Sequence, residues 1–358
     1  MDVRLTPEQV ALRDSAAHVA ARLGLHAVAD LDDSERAAKL DAAVVASGWR
    51  ELRAGANDDG EPWASAVEVA LVAEELARGL ADTPFFGPTM AAELRRRVGA
   101  PPSADVETVV LRPDLAGPAR RAEAGGVERA AVAPDARGSS VGLVVLPTPA
   151  GEGHSDIGSV ALAARSGAGG AGNGVDLTRP SALVDRSSPV RKLEGQRRHL
   201  GDDDVTRWLS LGLAVASADL VGTMRGTLDL AVGYARTRRQ YGVAIGSFQA
   251  VQHLLADARV AVEGSHSIAL HAAWAVDALP AREALRAASA AKAYCARAGR
   301  AVCETAIQVH GGIGNTWECL AHVFLRRAIL SGEIFGGVGA NLERLLSAHG
   351  LGDDNGLR

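Results

Sequence analysis

The first hundred residues carry a repeated amphipathic pattern that predicts helices. Thr6 followed by Pro7 is typical of a helix start, with an N-cap and then proline at the first helical position. Amphipathic runs follow at residues 10–23, 35–48, 64–80 and, after a turn at 83–88, up to residue 98. The pattern predicts an amino-terminal helical domain over residues 1–102, with some other helical bundle as the alternative.

The pattern changes between residues 103 and 205. Short apolar runs alternate there with Gly, Pro, Ser and Asp, which predicts a small antiparallel sheet or barrel. The apolar runs lie at residues 106–111, 130–132, 141–146 and 159–162, with 176–184 as a further strand candidate. The glycine-rich stretch 167–174 is typical of a flexible loop. We therefore expect a short middle β domain over residues 103–205.

Long apolar patterns return from residue 206. The runs lie at residues 208–232, 248–279, 284–309 and 319–330, and the first three are long enough for an antiparallel four-helix core. Trp208, Trp274 and Trp317 are interpreted as core residues. The predicted fold class is mainly α with a small β domain, with a helical bundle over residues 206–350 and a tail over 351–358.

Composition narrows the class of protein. With 358 residues the chain can form two or three structural units, and 47% hydrophobic with only 4% aromatic residues indicates an Ala-rich helical protein. The formal net charge of -5 argues against a general nucleic-acid binder. The amino terminus lacks an apolar signal core and no run approaches a membrane span, so we expect a cytoplasmic protein.

The three cysteines give no sign of a metal site. Cys295, Cys303 and Cys319 have no C-x-x-C spacing. Three buried, reduced thiols are the expected state, and no metal ligands are predicted.

Residues 234–252 have the composition of a binding loop. Arg238 and Gln240 offer the fork and amide geometry that suits a phosphate diester. Gly242 and Gly246 allow the backbone to turn, and Ser247 is a candidate cap for the helix that follows. Taken alone, the arginines of this loop would be interpreted as a solvated basic turn.

A second glycine-rich stretch covers residues 308–318. One helix is predicted to end at Gly311 and Gly312, and Thr316 is predicted as the N-cap of the next. The glycines would let a ligand lie against bare backbone. Taken alone, they could equally be an ordinary helix C-cap.

At this separation and in this order, the two stretches resemble the carboxyl-terminal domain of the acyl-CoA dehydrogenase family. In that family, R-x-x-F/Y-G followed by F-Q-x-x-Q, and later Q-x-x-G-G-x-G, contact the adenosine and pyrophosphate of an FAD whose flavin ring lies mainly in the neighbouring subunit. The resemblance assigns these contacts to Arg238, Arg239, Gln240, Tyr241, Phe248, Gln249, Gln252, Gln308, Val309, His310, Gly311 and Gly312. His310 is expected to contact FAD through its backbone.

The resemblance also assigns a position to the catalytic glutamate, and this chain departs from it. That position is Phe335, and the alternative position used by a minority of the family is Gly212. Neither residue can accept a proton, so no catalytic base is assigned. Glu333 is a weak candidate, because two residues on a helix rotate the side chain by about 200°.

The middle domain lacks the family's flavin-binding motifs. The Thr-Glu-Pro, Gly-Ser-Asp and Trp-Ile-Thr/Ser stretches are absent, and residues 149–156 are the nearest fragment. We therefore expect a shortened middle domain that has lost its half of the flavin pocket.

The resemblance is closest to the reduced subunit of actinobacterial α2β2 enzymes that act on steroid-derived CoA thioesters. It implies a shared FAD, an acyl-CoA substrate, a second acyl-CoA dehydrogenase-like subunit that supplies the glutamate, and an electron-transfer flavoprotein or similar acceptor. One alternative is a homotetrameric FAD enzyme, either a dehydrogenase that uses Glu333 or a flavin-dependent hydroxylase-like protein. Another is a non-catalytic scaffold paralogue.

Overall fold

The computed structural model describes residues 4–57, 61–119, 126–127, 130–147, 154–162 and 174–349. Four helices come first: α1 Pro7–Leu23, α2 Ser34–Ala46, α3 Ala66–Arg78 and α4 Phe86–Arg97. The predicted cap of α1 is confirmed, because Thr6 Oγ1 accepts from the Gln9 amide at 3.2 Å and Gln9 Oε1 accepts from the Thr6 amide at 3.1 Å.

The start of α4 differs from the prediction. Phe86 is already helical, although the sequence indicated a turn through residue 88. Asp135 explains the difference, because its Oδ2 accepts hydrogen bonds from the Phe85 and Gly87 amides at 2.8 and 3.2 Å. This carboxylate from the β region caps the helix from outside, where no local side chain does.

The middle region is a mixed sheet rather than the purely antiparallel one expected. Its strands are β1 Glu107–Val109, β2 Ala131–Ala133, β3 Val141–Pro147, β4 His154–Ala161, β5 Ala182–Val184, β6 Arg191–Lys192 and β7 Leu200–Gly201. The sheet order is β1-β3-β4-β6 with β7 also on β4, and β2 pairs with β5 separately. Among the described strand pairs, β1 and β3 run parallel and the others run antiparallel. Most of the loop 167–174 and of the fragment 149–156 lies outside the described residues.

Long helices form the rest of the molecule. They are α5 Asp202–Thr237, α6 Gln249–Ala278, α7 Ala281–His310, α8 Ala321–Glu333 and α9 Val338–Ala348. At 36 residues, α5 is about 54 Å long. It packs against α3, α6, α7 and α8 and buries apolar residues along most of its length. The expected fold class, mainly α with a small β region, is confirmed.

Two further findings on the described residues concern the cysteines and the length of the apolar helices. Cys295, Cys303 and Cys319 are free and buried, as predicted. None of the helices in these ranges is long and apolar enough to cross a membrane.

Candidate functional site

The two glycine-containing stretches lie together at one end of the helical bundle. A short hairpin, β8 Arg239–Gln240 with β9 Val243–Ala244, connects α5 to α6, and the second stretch follows the end of α7. A small apolar cluster joins these helix ends: Ala231, Ala235, Ala306 and Val309, with Ile245, Val251 and Leu255 packed against it. The fold therefore brings together the two stretches, which we call the cradle.

The tip of the hairpin projects from the surface. Tyr241 and Gly242 both have left-handed backbone, with φ of 51° and 79°, which is the pattern of a two-residue type I′ turn. Tyr241 is 93% exposed, and its ring lies edge-on to Phe248 with 6.3 Å between the ring centroids. Two aromatic rings are thus available to a flat ligand.

The hairpin arginines are free to bind an anion. Arg238 and Arg239 are exposed, and no carboxylate of the described residues pairs with either guanidinium. Elsewhere on the bundle, the exposed Arg300 is paired with Glu304 at 2.8 Å. An unpaired guanidinium keeps all its donors for a phosphate group.

The glutamines of the cradle have different surroundings. Gln252 Nε2 donates to the Gly246 carbonyl at 2.9 Å and so joins α6 to the short segment that follows the hairpin. Gln240, Gln249 and Gln308 are exposed. Ser247 does not cap α6, because a short 3-10 turn at Ile245–Ser247 directs its hydroxyl to the Ala244 carbonyl, to which it donates at 2.7 Å.

The second half of the cradle exposes bare backbone. Helix α7 ends at His310, and Gly311 turns the chain with φ of 65°. A methyl group added to Gly311 or Gly312 would meet no atom of the described residues within 4 Å. At Gly312 nothing in the described chain demands glycine, so the open space fits an outside group that approaches the backbone.

The side chains just before these glycines point inward. Val309 lies in the apolar cluster, and the His310 ring is stacked on Tyr234 with 4.5 Å between centroids. Only the backbone of these two residues is left for a ligand. The predicted cap at Thr316 is wrong, because a 3-10 turn at Gly311–Asn315 delays the start of α8 to Ala321.

The tryptophan predictions are confirmed in part. Trp208 is 1% exposed and Trp274 is half-buried. Trp317 was wrongly placed in the core. It is 61% exposed beside the cradle, with its ring edge-on to His322 at 5.0 Å.

The two positions that the resemblance assigns to the base touch each other. Phe335 is fully buried, with φ of 58°, and its ring meets Trp208 edge-on at 5.2 Å and Phe86 at 5.9 Å. A Cβ on Gly212 would lie 2.2 Å from Phe335 Cε2. The Phe335 ring therefore occupies the space that glycine leaves on α5, and we call this packing the aromatic plug.

Two basic side chains hold the turn that carries the plug. Lys292 is fully buried, and its Nζ donates to the Gly332 and Gly336 carbonyls at 2.5 and 3.1 Å. Arg344 donates to the Phe335 carbonyl at 2.5 Å. Glu333, by contrast, is exposed at the last residue of α8. The turn is fixed with the Phe335 ring inward and the Glu333 carboxylate outward.

A buried ionic network lies beside the plug. Asp219 of α5 pairs with Arg327 at 3.0 Å and with Arg179 at 3.2 Å, and Arg179 also pairs with Asp176 at 2.8 Å. Burial raises the pKa of the Asp176 carboxyl, but Arg179 and Arg327 outweigh burial and lower it. The adjacent cavity is only about 10 Å³, room for about one water molecule.

Sequence reasoning missed this network. The signal was Asp219, one of two acids, with Asp229, inside the apolar run at residues 208–232. Such a residue on a buried helix face needs a cationic partner.

A larger groove of about 390 Å³ lies between α1, α3, α5 and α6. Its buried carboxylates, Glu74 and Glu75, both accept from Arg225, and Glu74 also accepts from His266 at 3.0 Å. Because its charges are paired internally, this groove offers a ligand less than the cradle does.

Comparison with known proteins identifies the fold and the family. Residues 203–351 match the family profile "Acyl-CoA dehydrogenase, C-terminal domain". Acyl-CoA dehydrogenase IpdE2 of Mycobacterium tuberculosis is 30% identical over 289 residues, which cover 78% of this chain and 77% of that protein. The chain belongs to the acyl-CoA dehydrogenase family. Members of this family are FAD-dependent oxidoreductases.

Other acyl-CoA dehydrogenases cover different shares of the chain. FadE34 of Mycobacterium tuberculosis is 39% identical over 171 residues, which are 48% of this chain but only 23% of FadE34. The ChsE4-ChsE5 complex from Mycobacterium tuberculosis superposes with a TM-score of 0.74 at 22% identity, over 98% of this chain and 99% of the other. A Tcur3481-Tcur3483 steroid ACAD variant gives 0.72 at 21% identity, over 96% and 98%. At these identities the two structures show the shared fold.

Proposed function

We propose that this chain is a subunit of an FAD-dependent acyl-CoA dehydrogenase and supplies the adenosine and pyrophosphate half of an FAD site. A second acyl-CoA dehydrogenase-like subunit supplies the flavin pocket and the catalytic glutamate. The observation that carries the proposal is the contrast between an open cradle and a filled base position. Within the described part of the chain, the cradle leaves Arg238 without a carboxylate partner at the surface, whereas Phe335 fills the space at Gly212.

The residues of the cradle fit the adenosine diphosphate portion of FAD. The Arg238 and Arg239 guanidiniums would bind the pyrophosphate through charge-assisted hydrogen bonds. The open backbone at Gly311 and Gly312 lets the ligand approach closely. Tyr241 and Phe248 offer rings against which the adenine can lie. FAD, when bound, supplies the hydride acceptor, and this chain binds and orients it.

The residues around the plug do not fit a flavin or an acyl group in this chain. Phe335, Trp208 and Phe86 pack directly on one another, and the neighbouring cavity holds about 10 Å³. No side chain at either base position can take the α proton of a substrate. Proton removal is therefore the task of the second subunit.

The substrate class follows from the family. We propose a CoA thioester with a steroid-derived acyl group, a choice supported by the steroid ACAD among the structural neighbours. An electron-transfer flavoprotein or similar acceptor would take the electrons, and the assembly would work in the cytoplasm.

The test is co-purification. The chain is expressed alone and together with candidate dehydrogenase subunits, and each sample is examined for flavin absorbance and oligomer mass. A yellow hetero-oligomer that forms only on co-expression supports the proposal.

A yellow, active homo-oligomer of this chain would overturn the proposal and make Glu333 the residue to mutate. A hetero-oligomer whose flavin content and activity are unchanged by Arg238→Ala would instead show a scaffold without a role in binding FAD.

A further inference from the structure

Trp317 is a large aromatic side chain that the fold leaves exposed on residues 308–318, which we call the glycine half of the cradle. It is 61% exposed, whereas Trp49 and Trp208 are almost fully buried, at 2% and 1%. It lies five residues after Gly312, where the backbone is open. None of the contacts proposed for FAD uses this ring.

The backbone on both sides of Trp317 is fixed by hydrogen bonds. The Thr316 amide and the Thr316 hydroxyl both donate to the Ile313 carbonyl, at 3.0 and 2.9 Å. The Cys319 amide donates to the Thr316 carbonyl at 3.2 Å. Two consecutive tight turns therefore enclose Trp317, and the folded segment itself presents the indole at the surface.

The orientation of the indole is set by one neighbouring ring. His322, in the first turn of α8, lies edge-on to it, with 5.0 Å between the ring centroids and 78° between the planes. Burial and the charge of Arg326 lower the pKa of His322, so the imidazole is neutral at neutral pH. An edge-to-face contact covers at most one face of the indole. At least one face is therefore left uncovered by His322.

The exposed ring lies within reach of the open glycine backbone. Residues Gly311–Asn315 form a 3-10 helix. Because such a helix rises about 2.0 Å per residue and consecutive Cα atoms are about 3.8 Å apart, the Cα atoms of Gly312 and Trp317 lie within about 14 Å of each other. A nucleoside diphosphate whose phosphates lie on the glycines can therefore place its base at the indole.

The two halves of the cradle offer different chemistry to such a ligand. Ile313, which is 37% exposed, is the other large apolar side chain at the surface of the glycine half. Arg238 and Arg239, proposed to bind phosphate, lie on the hairpin after α5. Cationic groups on the hairpin thus face an apolar, aromatic surface on the glycine half, which suits a ligand with phosphates at one end and a heterocyclic base at the other.

We infer that Trp317 stacks on the adenine of the bound FAD, and that it makes the cradle prefer an adenine nucleotide to a ligand that offers phosphates alone. Its ring is a contact additional to Tyr241 and Phe248, which belong to the hairpin side. The inference rests on the proposed function, because it assumes that the adenosine diphosphate part of FAD lies in the cradle.

The first arm of the test compares two probes on the full chain by titration calorimetry: ADP, which has a base, and inorganic pyrophosphate, which has none. Trp317→Ala should weaken ADP binding about five- to a hundredfold, the range for one base stacked on an aromatic ring. It should leave pyrophosphate binding within about twofold. Trp317→Phe keeps a ring and should retain most of the ADP affinity.

Two further variants serve as controls. Trp63→Ala removes a tryptophan that is 75% exposed in the amino-terminal region, and it should leave the affinity for both probes within about twofold. Arg238→Ala should weaken the binding of both probes, because each contains the phosphates that the guanidinium binds. These controls distinguish the loss of a stacked base from the loss of any exposed indole and from the loss of a phosphate contact.

The second arm uses the fluorescence of the indole. Stacking on a base quenches tryptophan emission, so ADP should quench the emission of the wild type and have little effect on Trp317→Phe, which retains the other tryptophans. Equal quenching in the two proteins would overturn the inference. So would a Trp317→Ala variant that binds ADP as tightly as the wild type, or one that loses pyrophosphate binding to the same extent as ADP binding.

The outcomes also separate the inference from the proposed function. If the wild type binds ADP and Trp317→Ala binds it equally well, the inference fails and the proposed function stands. If only the complex with the partner subunit binds a nucleotide, the same variants are compared there, with ADP as a competitor of FAD. If the wild-type chain binds neither ADP nor, with its partner subunit, FAD, the proposed function fails and the inference fails with it.

Discussion

The cradle and the aromatic plug are built on the same helix, α5, but they use their groups in opposite ways. At the end of α5, Arg238 and Arg239 are exposed and pair with no carboxylate of the described residues, and the backbone of the facing glycines is uncovered. In its first third, Gly212 is covered by the ring of Phe335, which is fully buried. One region leaves its binding groups for an outside molecule, whereas the other is complete within this chain.

This difference distinguishes residues that stabilise the fold from residues that are available to bind a ligand. A buried polar or aromatic residue is held by its neighbours, so its position tells us about stability. A group that the chain itself leaves unsatisfied indicates a partner. By this criterion, we propose that the cradle is the part of the family site that this chain still uses.

The largest expected effect comes from opening the plug. Phe335→Ala should lower the free energy of unfolding by about 3–5 kcal/mol, since it removes a fully buried ring. Gly212→Ala should cost about 1–3 kcal/mol through overpacking. Because the two side chains compete for one space, the double variant should lose less stability than the sum of the single losses. Urea unfolding measures all three.

Tyr241→Ala is the matched control on the cradle, where the ring is 93% exposed. It should change stability by no more than about 0.5 kcal/mol. Additive losses at Phe335 and Gly212 would show that the contact between them is unimportant.

The pH dependence of stability probes the turn below the plug. Burial lowers the pKa of Lys292 to about 7. In the unfolded chain a lysine keeps its proton up to about pH 10.4. Between these values the unfolded state binds more protons, so the free energy of unfolding should rise with pH, by at most about 1.4 kcal/mol per unit. Lys292→Met should lack this rise in denaturation curves measured from pH 7 upward, and an unchanged slope would contradict the assignment.

At the cradle, replacement of a charged side chain should weaken ligand binding and leave the stability of the fold unchanged. Arg238→Ala should weaken FAD binding about ten- to a hundredfold, the cost of one charge-assisted hydrogen bond, and leave the unfolding midpoint unchanged. Fluorescence titration of FAD into the assembled complex measures the affinity. Arg300→Ala, which breaks an exposed ion pair on α7, is the control. Equal losses in the two variants would point to a general effect of charge.

The smallest effect is expected at Gly312. A methyl group there meets no atom of the described residues, so Gly312→Ala should change the free energy of unfolding by no more than about 0.5 kcal/mol. If FAD lies on the backbone, the affinity should fall roughly fivefold, about 1 kcal/mol. Gly314→Ala should have the opposite effect and destabilise the fold, because its Cβ would lie 2.9 Å from the Ile307 carbonyl oxygen. Unchanged affinity in Gly312→Ala would place the ligand elsewhere.

The helices could be predicted because their apolar residues recur with the period of a helix. Long, Ala-rich runs became α5, α6 and α7. Boundaries set by distant residues were missed. Helix α4 starts early because Asp135 caps it, and α8 starts late because a 3-10 turn intervenes.

The site residues could be predicted only where they lie close together in the sequence. The hairpin and glycine motifs are continuous in sequence, so their residues could be named. The plug depends on Phe335 meeting Gly212, and both could be named only as positions without a base. The inward rotation of His310 and the stacking of its ring on Tyr234 depend on how two helices end. Periodicity carries no information on such contacts.

The buried network around Arg327 has a consequence for how the chain reaches this structure. Arg327 donates to the Ala81 carbonyl and to Thr178 Oγ1, both at 3.0 Å, so its guanidinium needs parts of the chain 246 and 149 residues away. Contacts of such sequence separation form slowly in folding. Until they form, the guanidinium of Arg327 in α8 lacks two of its final hydrogen-bond partners. We therefore expect the contacts of Arg327 with Ala81 and Thr178 to form last in folding. We also expect that the amino-terminal helices or the β region cannot be exchanged for those of another subunit without loss of these contacts.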